Sequence, residues 1–395
     1  MSGEMSRSLK LMLVIQFFQG FRGGIISPIL ALFIRRQGVS VTQLGLLGTA
    51  GMMGWLIFEP LSGVIADRVK KKWMLAFGVM VSTVIYALYP MAGEIWHFGL
   101  LAFAMSSVMS FYAISAKSLI AELLPTSGRG RAYGRYLAAI SVGGIAGPFV
   151  GGYMADALGY SLPFYLSAAV GLISLGGILL LKHDGVVTEV SEKSEEDGGL
   201  MSKPVLTIFL VRGLYLFDLV FRQNFLPVYL NESPAIGASE TEIGAYMSIL
   251  RVMSALSQSF LGDVIDRVGC RVVIVSSLGL GGLGYLGLLA VRGVFPLYLL
   301  GVFQGVFMAA ANMGMMIHLM DVMPAGRTGM VMGLYSEAEN VGGMIAAPSL
   351  GYVYDSVGSA YSVLYVVGAL ILNALLSALL IKKKRATVEV SGEIT

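Results

Sequence analysis

The chain holds one cysteine, Cys270, and three histidines in 395 residues, which excludes an internal disulfide and leaves too few ligands for a dedicated metal centre. The same scarcity leaves no nucleophile–base pair from which an enzyme could be assembled, and neither a metal nor an organic cofactor is expected. A Gly-x-x-x-x-Gly-Lys-Ser/Thr loop is missing, so nucleotide hydrolysis is not expected as a direct energy source. Charge is scarce as well: 13% of residues are Asp, Glu, Lys or Arg, against about 25% in soluble domains. A formal net charge of +3 gives no reason to expect a nucleic-acid partner.

Apolar surface takes the place of charge. Hydrophobic residues make up 56% of the chain, and the 51 glycines are roughly twice the usual share of about 7%. A helix that spans a bilayer needs about 20 largely apolar residues. Twelve segments reach that length: 9–34, 42–66, 73–92, 98–121, 132–156, 161–181, 204–230, 239–263, 272–291, 295–320, 328–354 and 360–381. The expected fold is an all-α integral membrane protein of twelve transmembrane helices. Trp73 and Trp96 bracket the third, about 34 Å apart at 1.5 Å per residue, as interfacial anchors would. The apolar run after Lys10 continues past a leader's length with no small-residue cleavage signal, which predicts a retained first helix.

The one long polar insert, 182–203, is charged and without periodicity, and reads as a flexible linker. It divides the chain into an N-terminal six-helix bundle (1–182), a cytoplasmic linker (183–203) and a C-terminal six-helix bundle (204–395). Nineteen of the 27 Lys and Arg residues fall on the side of the termini, three on the other side and five within helices. By the positive-inside rule both termini are cytoplasmic, in a multi-pass protein of the cytoplasmic membrane.

The loop Gly63-Val-Ile-Ala-Asp67-Arg68-Val-Lys70-Lys71-Lys72 returns 199 residues later as Gly262-Asp-Val-Ile-Asp266-Arg267-Val-Gly269-Cys270-Arg271. The same shift superposes Pro28 on Pro227, Gly45 on Gly244, Tyr136 on Tyr335, Gly143 on Gly342, Gly152 on Gly351 and Asp156 on Asp355. Six helices per half make the two parallel repeats, related by an axis along the membrane normal.

Asp67 and Asp266 stand where a carboxylate can cap the N-terminus of a helix in the other half. Symmetry would set Asp67 against the start of helix eleven near Gly329, and Asp266 against the start of helix five near Gly130. With Gly63, Arg68, Gly262 and Arg267 they are the candidate gating residues that hold the cytoplasmic side shut. In helix five, Gly143, Gly147 and Gly151 recur every four residues and form a smooth ridge for close helix packing, beside Pro148 and Gly152.

These motifs resemble those of the major facilitator superfamily of secondary transporters, and the resemblance covers all twelve helices. The family's loop between helices two and three reads Gly-x-Leu-Ala-Asp-Arg-x-Gly-Arg-Lys. Here Lys70 stands in place of its second glycine, which the second half restores as Gly269. The run Gly143-x-x-x-Gly147-Pro148-x-x-Gly151-Gly152 is similar to a motif associated with the family's antiporters. The resemblance implies a monomer in the lipid bilayer whose halves rock about a central cavity, with a small molecule and protons as its partners.

Nine ionisable residues, Arg22, Glu59, Lys117, Arg212, Asp218, Arg222, Arg251, Glu337 and Glu339, lie four or more positions in from the ends of the predicted helices. A charge at the bilayer centre costs about 2.5–3.5 kcal/mol on the insertion scale, so such groups face protein or a watery cavity. Arg22, Asp218, Arg222 and Arg251 are the deepest, and with Gln19, which the repeat places on Asp218, they form the candidate substrate cavity. The forks of Arg22 and Arg222 would suit a carboxylate or phosphate. Alternatively, Arg222 pairs with Asp218 four residues earlier, and Arg22 with Glu337 or Glu339. Glu337, Glu339 and Asp218 are the candidates for exchange of a coupled proton, although they could equally neutralise arginines. The expected function is secondary active transport of a small organic solute by alternating access, proton-coupled in the direction of efflux. The alternatives are transport of an organic or phosphorylated anion on Arg22 and Arg222, and a membrane sensor or scaffold that transports nothing.

Overall fold

The computed structural model describes residues 7–66, 68–123, 129–182, 202–324 and 328–381. Within them the chain makes twelve passes in two bundles of six. The first bundle consists of α1 (Arg7–Ile26) with α2 (Ile29–Arg36), then α3 (Val41–Ala66), α4 (Lys71–Leu88), α5 (Ile95–Leu123), α6 (Arg129–Leu158) and α7 (Ser161–Leu179). The second consists of α8 (Lys203–Val220) with α9 (Leu226–Glu232), then α10 (Glu240–Val268), α11 (Cys270–Ala290), α12 (Val294–Val322), α13 (Thr328–Ser356) and α14 (Ser359–Leu380).

Ten of the passes are long and apolar enough to cross a membrane by composition alone. The other two, α10 and α13, carry Glu240, Glu242, Arg251 and Asp263, and Glu337 and Glu339. Both lie on the seams between bundles, α10 against α6 and α13 against α3. Glu240, Glu242, Arg251, Glu337 and Glu339 are thereby buried or half-buried against protein, as the cost of charge in lipid requires, while Asp263 is exposed near the end of α10.

Passes one and seven are not the continuous helices predicted over 9–34 and 204–230. The first turns at Ser27–Pro28 between α1 and α2, and the seventh widens into a π-turn, Phe221–Phe225, just ahead of Pro227. Proline has no N–H to donate, and its ring displaces the carbonyl four residues back, so the ladder opens at equivalent places in both halves. Pro90 acts likewise in pass three, where Tyr89–Met91 tighten to a 3₁₀ turn after α4.

The glycine ridge of α6 sits directly on α1. A Cβ at Gly151 would lie 2.0 Å from the Ile25 carbonyl oxygen, and one at Gly143 would lie 2.1 Å from that of Phe17. Gly147 meets Gly24 and the Phe21 carbonyl in the same way. Gly152 and Pro148 turn instead to the other bundle, where they meet the Glu240 carbonyl and Gly244 of α10. One helix therefore uses two adjacent glycine stripes, one to hold its own bundle and one to approach its neighbour.

An even number of passes puts both termini on one face, and the bundles are locked together on the opposite face. There the Asp355 carboxylate, at the end of α13, accepts from the backbone N–H groups of Thr42 (2.6 Å) and Val41 (3.3 Å) and caps the start of α3. In the symmetric contact, Thr241 Oγ1 at the start of α10 donates to Asp156 Oδ2 at the end of α6, 2.6 Å away. Both Thr42/Thr241 and Asp156/Asp355 are 199 residues apart, so the latch is two-fold. Ion pairs Arg35–Glu232 and Arg36–Glu240, each 2.7 Å, reinforce it, and Tyr160 donates to Glu240 as well.

On the termini face, among the described residues, a side chain added at Gly63, Gly134 or Gly333 would meet nothing within 4 Å. Arg68, Asp266 and Arg267 are exposed there. Asp67 lies outside the described residues, as do the side-chain surroundings of Gly130 and Gly329. The neighbouring basic residues brace their own bundles. Lys71 is buried in an ion pair with Glu122, and Lys72 Nζ donates to the Leu181 carbonyl (2.6 Å) at the end of α7. Arg271 does the same for the Ala378 carbonyl of α14. Each cation meets the negative end of a helix dipole.

Candidate functional site

Beneath the latch, a cavity of about 480 Å³ opens between α2, α3 and α5 of one bundle and α8 and α13 of the other. Met52, Trp55, Tyr89, Phe98 and Met105 give it apolar and aromatic walls, and Glu59, Lys117, Asn224, Ser336, Glu339 and Asn340 supply the polar groups. Glu59, on α3, comes close to Lys117 and, across the seam, to Glu337, Glu339 and Asn340 of α13. Asn340 Nδ2 in turn donates to Glu337 Oε2 (3.3 Å). Carboxylates from both bundles thus share one acidic patch.

Glu339 is tied inward. Arg212 Nε and Nη2 both reach its Oε1, at 2.7 and 2.6 Å, so the arginine grips a single oxygen. Arg212 Nη1 donates to Asn312 Oδ1 (2.7 Å), and Asn312 Nδ2 to the Tyr215 hydroxyl (3.0 Å). Tyr215 is in hydrogen-bond contact with Arg222, Arg222 Nη1 pairs with Asp218 Oδ2 at 3.1 Å, and the Tyr285 hydroxyl donates to Asp218 Oδ1 at 2.6 Å. A continuous polar chain therefore runs from the cavity wall to a carboxylate enclosed in the second bundle. Buried polar groups require such partners, because each left unpaired carries its full desolvation penalty.

The structure redistributes the residues singled out from sequence. Arg22 and Arg222 do not approach the seam. Each points into its own bundle, Arg222 onto Asp218 and Arg22 to within 4.9 Å of the Tyr86 ring centroid. Tyr86 and Tyr285 are 199 residues apart, as are Gln19 and Asp218, so the two clusters are equivalents. In the first, an amide stands in the place of the carboxylate: Arg22 Nη1 lies 3.5 Å from Gln19 Oε1, and its Nε and Nη2 have no partner among the described residues. Glu339, offered as a partner for Arg22, is held by Arg212.

Arg251 does reach the seam, but the other one. It lines a second cavity of about 410 Å³ between α1 and α6 of the first bundle and α10 and α12 of the second, along with Gln19, Ser141, Ser254 and Gln258. Its Nη1 donates to the Gly144 carbonyl and its Nη2 to Ser27 Oγ, both at 3.0 Å and both across the seam.

Sequence reasoning passed over the cavity residues Trp55 and Asn224 and the links Asn312, Tyr215 and Tyr285. It also passed over the latch residues Thr42, Thr241, Glu232 and Glu240. The 199-residue shift already pairs Thr42 with Thr241 and Tyr86 with Tyr285, and was the available signal for these.

Comparison with known proteins agrees with this architecture. The sequence profile of the Major Facilitator Superfamily matches residues 12–233 and 208–394. An uncharacterized MFS-type transporter of Methanocaldococcus jannaschii is 24% identical over 377 residues, covering 91% of this chain and 94% of the relative. Multidrug resistance protein MdtG of Dickeya zeae is 26% identical over 393 residues, covering 93% of each. The crystal structure of the nucleoside transporter NupG superposes with a TM-score of 0.81 at 16% identity, over 96% of this chain and 100% of that one. Two six-helix repeats, a cavity on their seam and a profile that matches nearly end to end place the chain in the Major Facilitator Superfamily of transporters.

Proposed function

We propose that this transporter exports a small, partly aromatic organic solute from the cytoplasm in exchange for protons, presenting the cavity between α3 and α13 alternately to the two faces. The termini face is taken as cytoplasmic, on the bias of its Lys and Arg residues. The observation that carries the reading is the shared acidic patch, with Glu59 from one bundle set against Glu337 and Glu339 from the other. When these carboxylates are ionised they repel across the seam, and the termini face stays open. Protonation removes the repulsion and frees Arg212 from Glu339, so the proton-loaded protein can change faces and carry protons inward; a solute seated between the ionised carboxylates separates them and lets the solute-loaded protein change faces in the outward direction.

The direction rests on the glycine ridge of α6 and on the multidrug-resistance relative. The aromatic wall of Trp55, Tyr89 and Phe98 supports a flat, apolar body in the solute. Inverted membrane vesicles energised to an acid interior, and read with an acridine probe of the pH gradient, test the coupling. Aromatic solutes that dissipate the gradient with the wild type should lose that effect, by about a hundredfold or more in rate, in the Glu337→Gln, Glu339→Gln double variant. Full gradient-driven transport in both single variants and in the double would remove the proton from these residues.

A further inference from the structure

Of the arginines deep in the membrane, Arg251 is the one that lacks an acid yet faces open space. Arg212 has Glu339 and Arg222 has Asp218, while Arg22 is enclosed by its own bundle. Arg251 has the Gly144 carbonyl and Ser27 Oγ, both neutral, and the charged group that acts on it is a second cation, Arg222. No carboxylate pairs with it among the described residues. An uncompensated guanidinium inside a membrane span is expensive, and such groups are compensated by a counter-ion or mark a ligand pathway. Here the compensation has a place to come from: the 410 Å³ cavity has Arg251 as its sole ionisable lining residue. Ser141, Ser254, Gln19 and Gln258 surround the charge with neutral hydrogen-bonding groups, and Gly23, where a side chain would meet nothing within 4 Å, leaves room for a bulky neighbour.

The two seams therefore differ in sign. The α3–α13 cavity is acidic, and the α6–α10 cavity is basic, with no acid lining it among the described residues.

We propose that the Arg251 cavity binds the acidic group, a carboxylate or its sulfonate or phosphate equivalent, of a small organic anion. Two of the guanidinium N–H donors already hold the fork across the seam, and the others remain to meet an oxyanion. The anion would bridge α10 to α1 and α6, so a site on the seam is occupied in one conformational state and dismantled in another, as a transported ligand requires. The site is a second one, apart from the α3–α13 cavity, and the proposal rests on the transport reading above only in taking its ligand to be a transported solute. The binding itself does not depend on proton coupling or on direction.

The test is equilibrium binding to the purified full-length protein in neutral detergent, without any gradient, read as thermal stabilisation across a titration. The probes are 2-naphthoate and its neutral analogue 2-naphthalenemethanol, with phosphatidylglycerol in the micelle as a third arm. Naphthoate should stabilise the wild type saturably and the alcohol should not. Arg251→Gln should weaken naphthoate binding by about tenfold or more, Arg251→Lys should be intermediate, and Arg292→Gln, which removes an exposed cation outside the cavity, should bind as the wild type does. Equal responses of the wild type and both Arg251 variants to naphthoate, or equal stabilisation of the wild type by the alcohol, would overturn the proposal. Arg251-dependent stabilisation by phosphatidylglycerol with no response to naphthoate would overturn it too, by assigning the site to a lipid headgroup. Loss of gradient-driven transport in the Glu337/Glu339 variants, whatever naphthoate does, bears on the exchange reading alone.

Discussion

Arg222→Gln should destabilise the purified protein by about 3–5 kcal/mol, because it strands the Asp218 carboxylate inside the second bundle. The side chains of Arg222 and Asp218 are 6% and 7% exposed, so water cannot take over the lost partner. The Tyr285 hydroxyl bond to Asp218 remains, but a neutral donor does not cancel a buried charge. Adding Asp218→Asn to Arg222→Gln removes the stranded charge and should recover much of the loss. The first bundle supplies an internal comparison, since Arg22 has Gln19 where Arg222 has Asp218. Arg22→Gln strands no acid and should lower stability less. Thermal melting of these three variants and of Asp218→Asn alone, in detergent, decides the matter. Additive losses without rescue in the double variant would show that the pair contributes nothing as a pair.

Replacing both latch carboxylates, in the Asp156→Ala, Asp355→Ala variant, should release the face that the structure shows closed. The Asp355 cap at the start of α3 contributes about 1 kcal/mol and the Thr241–Asp156 hydrogen bond about 1 kcal/mol more, about 2 kcal/mol together. That corresponds to roughly a 30-fold shift in the balance between the closed and open latch. Nitroxide labels at Leu158 and Val357 in a Cys270→Ser background would report it. Both positions are more than half exposed, and they sit at the latch ends of α6 and α13, one in each bundle. Each single variant should move the distance distribution part of the way and the pair should move it further. A distribution unchanged in the double variant would reduce the caps to local helix chemistry.

Why some of this was legible in the sequence and some was not follows from the physics of each signal. The twelve passes were readable because lipid forces about 20 apolar residues per crossing. The repeat secured α10 and α13, whose composition alone falls short of a membrane span. The breaks at Pro28 and Pro227 were missed because hydropathy runs on unbroken through them, although a proline inside a helix carries its own warning. For Arg22 and Arg222 the depth was right, but the direction was not available. A helix that is apolar nearly all round has no periodicity to fix which side a lone arginine faces. The acidic patch joins residues that lie far apart in the chain, Glu59 on α3 and Glu337 and Glu339 on α13, so only their packing reveals it. The gating device was anticipated in kind, a carboxylate at one helix end capping a helix of the other half. Carboxylates are placed at both faces, Asp266 on one and Asp156 and Asp355 on the other, and a sequence does not state which set is engaged in a given conformation.

The central claim is that protons on the acidic patch switch the two bundles between closure on one face and closure on the other. Distances between the labels at Leu158 and Val357 in lipid nanodiscs, measured by double electron–electron resonance at acidic and alkaline pH, test it most directly. The account predicts two populations, with the longer one gaining weight in acid as the latch opens, and no pH response in the Glu337→Gln, Glu339→Gln variant. A single distance indifferent to pH, or a pH response that survives in that variant, would contradict it.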